Sequence, residues 1–104
     1  MQVLVMGAGG VGGYFGALLA RAGHNVSFIA RGTHLDALNA NGLTIETVAE
    51  DHFTVPVHAV ATPESGYNPD LVIVAVKSYD LEDAIEKFGS VVSSHTTVLT
   101  FLNG

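Results

Sequence analysis

The first thirty residues alternate between short apolar runs and a stretch with helical spacing. Residues 2–6 form a valine-rich run that stops at Gly7, a pattern typical of a strand buried on both faces. Apolar side chains then recur with the period of one helical face, at Val11, Tyr14, Phe15, Leu18, Leu19 and Ala22. Gly23 follows as a helix stop, and residues 26–30 form a second apolar run. The pattern predicts two parallel strands joined by a helix in a right-handed crossover.

Weaker patterns predict the rest of the chain. In order, they are a helix over 33–41 that Gly42 ends, hairpin strands over 43–48 and 53–57 with an extension to residue 61, a strand over 71–76, a helix over 78–92 and a strand over 97–102. Pro56 indicates a sheet edge. This order predicts a doubly wound α/β fold, a mostly parallel Rossmann sheet with an inserted antiparallel hairpin.

The chain stops directly after its last predicted strand, with no helix to cover that part of the sheet. We therefore expect residues 1–104 to be one domain of a longer chain.

Composition removes several classes of function. The chain has no cysteine, which excludes disulfides and thiol chemistry, and its five histidines are too dispersed to predict a metal site. Its net charge of −6 and four scattered cations argue against nucleic acid as a partner. No apolar run reaches the roughly 18 residues of a membrane span, and the first residues lack a secretory signal. We expect a cytoplasmic protein.

A glycine motif lies between the first predicted strand and helix. Gly7, Gly9 and Gly12 have the spacing G-x-G-x-x-G, in which the first permits a tight turn, the second lets a pyrophosphate approach the backbone, and the third lets the helix lie close to the sheet. The free N–H groups at the helix start would then bind the phosphates. The predicted pyrophosphate site comprises Gly7, Ala8, Gly9, Gly10, Val11 and Gly12. A glycine-rich turn that only packs tightly is the alternative.

The second predicted strand ends at Arg31 rather than at a carboxylate. NAD-binding sheets place an Asp or Glu there, about twenty residues after the glycines, to bind the ribose 2′-hydroxyl. A guanidinium instead offers a fork of donors to a 2′-phosphate, so Arg31 predicts NADP (NADPH) as the cofactor. A solvated arginine in a surface turn is the alternative interpretation.

Two further polar residues follow predicted strands. Lys77 comes after "LVIVAV" and Asn103 after "VLTFL", which places both on the ligand side of a parallel sheet. Together with "GAGGVGGYFGALLARAGHNVSFIARG", the segments "VIVAVKSYDLEDA" and "LNG" resemble the N-terminal domain of the ketopantoate reductase (2-dehydropantoate 2-reductase) family over essentially the whole chain. That family reduces ketopantoate to pantoate with NADPH, on the route to pantothenate and coenzyme A.

The resemblance implies a role for each matching residue. Lys77 would lie near the nicotinamide ribose and the substrate, and Asn103 would position substrate or nicotinamide. The family usually has Gln before this Asn-Gly, whereas this chain has Leu102. The resemblance implies a longer, two-domain chain whose C-terminal substrate domain is absent here. The family's general acid is a lysine of that domain, so residues 1–104 alone should bind cofactor without turnover.

Two other functions stay open at the level of sequence. One is another NADP-dependent 2-oxo or 2-hydroxy acid dehydrogenase on the same scaffold, and the other is a dinucleotide-sensing domain without catalysis. The expected partner is a small 2-oxo acid. An exposed last strand can pair with a second copy, so a homodimer is one expected assembly, and the sequence leaves the oligomeric state open.

Overall fold

A computed structural model of the chain describes residues 1–7, 10–46, 52–63, 66–75, 82, 86, 89 and 91–100. Its elements are β1 Gln2–Met6, α1 Gly10–Arg21, β2 Asn25–Ile29, α2 Gly32–Asn41, β3 Leu43–Ile45, β4 Phe53–Val55, β5 His58–Val60, β6 Leu71–Val74 and β7 Thr97–Thr100. The helix predicted over 78–92 lies mostly outside the described residues. Glu82 and Glu86 are helical and exposed, whereas Gly89, Val91 and Val92 are not helical, so the predicted end at residue 92 is wrong.

Five strands form one parallel sheet in the order β5-β2-β1-β6-β7. Met6 lies opposite both Ile29 and Val74, and Val74 lies opposite Thr100. The carboxyl ends of four strands therefore meet at one edge, which we call the carboxyl edge. The order reverses direction beside β1, as a doubly wound sheet requires, and the predicted fold class is confirmed.

The predicted hairpin is confirmed, with shorter strands. β3 and β4 pair antiparallel in a separate two-stranded sheet, where the hydroxyls of Thr44 and Thr54 lie 2.8 Å apart. The extended stretch expected as far as residue 61 is found as far as Val60, but as a separate strand, because β5 belongs to the main sheet, parallel to β2. Pro56 lies between β4 and β5 and has no N–H for a ladder, so the chain leaves one sheet there and joins the other.

Both faces of the main sheet are apolar. Val3, Val5 and Phe28 project to the face covered by α1 and α2, whereas Leu4 and Val72 project to the other face. All five side chains are fully buried, as expected of parallel strands covered on both sides.

The helix α1 packs on the sheet through small residues. A Cβ on Gly16 would lie 2.7 Å from Cζ of Phe28, and Ala17 is fully buried. Tyr14 and Phe15, which belong to the apolar face predicted from the sequence, are 38% and 42% exposed. The close approach of α1 to the sheet therefore comes from glycine and alanine, and part of the predicted apolar face points away from the sheet.

Both helices end at the predicted glycines. Gly23 has φ +99°, its N–H donates to the carbonyl of Ala20, and the N–H of His24 donates to the carbonyl of Leu19, both at 3.1 Å. This is the paired bonding of a left-handed helix cap. Gly42 follows α2 with φ +77°. Within the described ranges, neither helix has the length and apolar character needed to cross a membrane.

Candidate functional site

The turn after β1 lies at the carboxyl edge. Gly7 has φ +97°, a conformation that favours glycine, and the chain enters α1 at Gly10. Neither α1 nor α2 has an acidic residue in its first turn, so no carboxylate there opposes an anion at either helix start.

Gly12 faces that turn and the end of β6. A Cβ at this position would lie 2.5 Å from the carbonyl oxygen of Gly7 and 2.6 Å from Cβ of Ala75. The N–H of Ala75 donates to the carbonyl of Met6 at 2.9 Å, which fixes the end of β6 beside β1. Only glycine lets the first turn of α1 approach this closely, so the backbone itself forms the floor of the carboxyl edge.

Arg31 lies at the same edge, beyond β2. Its side chain is exposed, and its backbone is extended, with φ −150° and ψ 162°, at the residue that precedes α2. The next residue, Gly32, has φ +62° and open space where a Cβ would be. Because Met6 pairs with Ile29, Arg31 follows the strand next to β1, two residues beyond that pair. This is the side of the sheet on which a ribose phosphate would lie if the phosphates occupied the α1 start.

The remaining predicted site residues are distributed as follows. Gly10 and Val11 form the first turn of α1. Ala8, Gly9, Lys77 and Asn103 lie outside the described residues. The structure thus brings Gly7 and Gly12 together, with Arg31 at the same edge. The sequence analysis missed Ala75, whose small side chain leaves room for Gly12. The only sequence signal is that alanine follows four larger apolar residues in the strand predicted over 71–76.

A cavity of about 370 Å³ lies on the face of the sheet away from α1 and α2, and its lining runs from the amino edge, which is opposite the carboxyl edge, along β1, β2 and β5. Its lining includes the first residues of three strands, Gln2, Asn25 and His58. No lysine or arginine is among the described residues that line it, so the cavity does not suit a pyrophosphate. We therefore place the candidate site at the carboxyl edge, where the glycines and Arg31 are.

A hydrogen-bonded network near the amino edge was also missed by the sequence analysis. Ser93 Oγ lies 2.7 Å from Nδ1 of His95, and Nε2 of His95 lies 3.5 Å from Oδ1 of Asp70. Asp70 Oδ2 accepts the N–H of Gln2 at 2.8 Å, and the carbonyl of Asp70 accepts the N–H of Thr97 at 2.9 Å. The network ties the starts of three strands together. The side chains of His95 and Asp70 are each 46% exposed, so the site is not a dry one of the kind nucleophilic catalysis uses.

Comparisons with known proteins identify the family of the chain. The family model described as ketopantoate reductase PanE/ApbA matches residues 3–104. A 2-dehydropantoate 2-reductase of Mesorhizobium japonicum is 39% identical over 105 residues, which cover 100% of this chain and 32% of that protein. A PanE/ApbA family ketopantoate reductase from Ralstonia eutropha has a similar structure, with a TM-score of 0.87 and 41% identity over 100% of this chain and 35% of that one.

A structure of D-mandelate dehydrogenase with NADH and anilino(oxo)acetate is also similar, with a TM-score of 0.87 and 27% identity over 100% of this chain and 34% of that one. The chain spans about a third of the length of these relatives. Because the family model matches residues 3–104, which is nearly the whole chain, the chain belongs to the ketopantoate reductase PanE/ApbA family.

Proposed function

We propose that residues 1–104 are the NADPH-binding domain of a two-domain 2-dehydropantoate 2-reductase, which reduces ketopantoate to pantoate. One observation carries the proposal. At the carboxyl edge, α1 approaches the β1 turn closely because Gly12 has no side chain, and the cation Arg31 lies at the same edge. The Mesorhizobium japonicum relative supports the reaction, since it is named 2-dehydropantoate 2-reductase.

The glycine turn fits a dinucleotide. A Cβ at Gly12 would fill the space between the β1 turn and the end of β6, and the helix start beside it is free of acidic residues. The pyrophosphate would be held by the backbone N–H groups of the glycine motif, which comprises Gly7, Ala8, Gly9, Gly10, Val11 and Gly12. When bound, the cofactor supplies a hydride to the ketone carbon of the substrate.

Arg31 would select the phosphorylated cofactor. Its guanidinium is exposed and follows the strand next to β1, where a carboxylate would repel a 2′-phosphate. Hydrogen bonds to charged groups contribute about 1.5–3 kcal/mol, which corresponds to roughly a tenfold to hundredfold preference for NADPH over NADH.

Lys77 and Asn103 would complete the site on the nicotinamide side. Each follows a strand that ends at the carboxyl edge, by three residues in both cases, counted from Val74 and Thr100. Lys77 would stabilise the developing alkoxide through its charge, and Asn103 would orient the substrate or the nicotinamide by hydrogen bonds. The proton donor would come from the remainder of the two-domain protein.

The substitution Arg31→Ala tests the cofactor assignment. We expect it to weaken NADPH binding about tenfold or more and to leave NADH binding nearly unchanged, because only NADPH carries the 2′-phosphate. Titration of cofactor fluorescence with both nucleotides measures the two dissociation constants.

Arg21→Ala is the matched control, since Arg21 is the other described arginine and lies at the far end of α1. It removes the same charge from the chain without touching the carboxyl edge, so both dissociation constants should stay near those of the unchanged protein. Equal losses of NADPH and NADH binding in Arg31→Ala would refute the 2′-phosphate assignment.

A second candidate is another 2-oxo or 2-hydroxy acid dehydrogenase on the same scaffold. The observation that favours it is the similarity to D-mandelate dehydrogenase, whose structure contains NADH. An assay of the two-domain protein with NADPH or NADH and either ketopantoate or an aromatic 2-oxo acid separates the two candidates by their kcat/KM.

A non-catalytic dinucleotide sensor would bind NADPH and reduce neither acid. The cytoplasmic location and the homodimer stay predictions; sedimentation of the purified protein addresses the dimer.

A further inference from the structure

The connection from β5 to β6 crosses the sheet without a helix among its described residues. Parallel strands are usually joined by a helix that covers the sheet face, whereas residues 61–63 and 66–70 are not helical. The cavity of about 370 Å³ is lined by Pro63, Gly66 and Tyr67 of this connection and by residues of β1, β2 and β5. It therefore lies between the connection and the sheet, and we call it the crossover cavity.

Ser27 of β2 lines the crossover cavity from the sheet side. It lies opposite Leu4 of β1 and His58 of β5, and the three side chains share the face away from α1 and α2. Ser27 is 8% exposed, and it is the one buried polar residue in the described part of the chain.

The hydroxyl of Ser27 is open to the cavity. Its Oγ forms no hydrogen bond with any described residue. Within the same part of the chain, no fully enclosed side-chain oxygen or nitrogen lacks a partner. An unbonded Oγ is therefore not fully enclosed, and the space beside it is the crossover cavity.

The packing of β2 does not explain a serine at this position. Val26, Phe28 and Ile29 in the same strand are buried and apolar. A nearly buried hydroxyl without a protein partner costs free energy, which alanine in its place would avoid. A hydroxyl of this kind calls for another partner, and a molecule in the cavity would supply one.

Hydrogen bonds hold the connection in place over the cavity. The hydroxyl of Tyr67 donates to the carbonyl of Val3 at 3.1 Å. Oδ1 of Asn68 accepts the hydroxyl of Ser93, also at 3.1 Å, which fixes the plane of the Asn68 amide. The lining is thus positioned before any ligand arrives, and this lowers the entropic cost of binding.

The chemistry of the lining suits a neutral ligand. Among the described residues, the lining contains no aspartate, glutamate, lysine or arginine. Besides Ser27, it presents three side-chain amides and three apolar side chains, namely Gln2, Asn25 and Asn68, and Leu4, Val60 and Pro63. A side-chain amide carries donors and an acceptor in one plane, which matches the amide groups of a planar ring.

We infer that the crossover cavity is a second small-molecule site, which takes a neutral planar heterocycle with ring amide groups, the chemical class of the nucleobases. The hydroxyl of Ser27 bonds the ligand, and the amides at the amino edge bond its ring N–H and carbonyl groups. The volume lies at the lower end of the roughly 300–1,000 Å³ of ligand pockets. The site is separate from the carboxyl edge, so it goes beyond the proposed cofactor binding.

An NMR titration of the two-domain protein with uracil, in saturating NADPH, tests the inference. Uracil is the probe because it is a neutral ring with N–H donors and carbonyl acceptors, and NADPH keeps the carboxyl edge filled. We expect saturable shifts at the backbone amides of Ser27, Gly66 and Asn68. Orotate, the same ring with a carboxylate, is the matched control probe. It should bind about tenfold or more weakly, because no described lysine or arginine in the lining pairs with its charge.

The substitution Ser27→Ala tests the role of the hydroxyl. We expect uracil to bind about threefold to tenfold more weakly, with the NADPH dissociation constant unchanged. The melting temperature should stay the same or rise, because no described residue loses a hydrogen bond. Thr44→Ala is the control, since it removes a strand hydroxyl from the hairpin, outside the cavity lining. It should leave uracil binding unchanged.

Several results would overturn the inference. They are a titration without saturable shifts, shifts confined to the carboxyl edge, equal affinity for uracil and orotate, and unchanged uracil affinity in Ser27→Ala. A lower melting temperature of Ser27→Ala would also count against it, because the hydroxyl would then serve the fold. Failure of the proposed function is distinguishable, because it would appear as absent NADPH binding while the uracil titration still reports on the cavity.

Discussion

Gly12 has no room for a side chain, so replacing it should lower the free energy of unfolding. In Gly12→Ala, the new methyl group would meet a backbone oxygen at 2.5 Å and the Cβ of Ala75 at 2.6 Å, and neither atom can rotate away. We expect a loss of about 1–3 kcal/mol in the free energy of unfolding, despite the better helix propensity of alanine. Urea denaturation measures the loss, and NADPH binding should weaken because α1 must move.

Gly23→Ala is the control for this substitution. Gly23 has φ +99° and nothing within 4 Å of its ideal Cβ, so alanine there costs about 1–2 kcal/mol through backbone strain alone. It lies at the other end of α1, and NADPH affinity should be unchanged. A Gly12→Ala protein that binds NADPH normally at full stability would contradict the steric argument.

Single residues were predictable from the sequence where the backbone itself sets the requirement. The positive φ of Gly7 and the helix stops at Gly23 and Gly42 follow from glycine's conformational freedom, which spacing reveals. Ala75 was not predictable as the neighbour of Gly12, because that contact joins residues far apart in the chain and depends on the strand order.

At the scale of elements, α2 protects the edge of the main sheet with one side chain. Oδ1 of Asn39 accepts the N–H of Ala59 at 2.9 Å, and its Nδ2 donates to the carbonyl of Ala59 at 3.0 Å. We expect Asn39→Ala to lower the free energy of unfolding by about 1–3 kcal/mol, because the N–H and the carbonyl of Ala59 both lose their hydrogen-bond partner. Hydrogen exchange should accelerate at the Ala59 amide.

Asn41→Ala is the matched control, two residues further along the same helix and exposed. It should change neither the stability nor the exchange of Ala59. Unchanged exchange at Ala59 in Asn39→Ala would show that the side chain does not hold this strand.

The elements also show the limits of reading periodicity. The apolar spacing of α1 predicted a helix correctly but did not tell which face meets the sheet, since glycine contributes nothing to an apolar pattern while permitting the closest contact. The pattern predicted an extended stretch as far as residue 61 but did not separate β5 from β4, because β5 has only three residues and the alternation of so short a strand does not reveal which sheet it joins.

At the scale of the whole molecule, the cofactor should stabilise the fold by mass action. With NADPH at one hundred times its dissociation constant, the free energy of unfolding should rise by about 2.7 kcal/mol. The same concentration of NADH should give about 0.4–1.4 kcal/mol, if it binds tenfold to a hundredfold more weakly. Urea titrations with and without each nucleotide measure the difference.

The Arg31→Ala protein supplies the control, because there NADPH should stabilise the fold about as much as NADH does. Equal stabilisation of the unsubstituted protein by both nucleotides would argue against NADPH selectivity while leaving dinucleotide binding in place.

The division of labour between Gly12 and Arg31 has a consequence for cofactor exchange. The close approach of α1 to the β1 turn requires glycine at position 12, where no side chain fits, whereas nucleotide choice would depend on the exposed side chain of Arg31, which follows a different strand. A substitution at Arg31 alone would then change the preference of such a domain from one nucleotide to the other, while the packing of α1 at Gly12 and the rest of the protein stay unchanged.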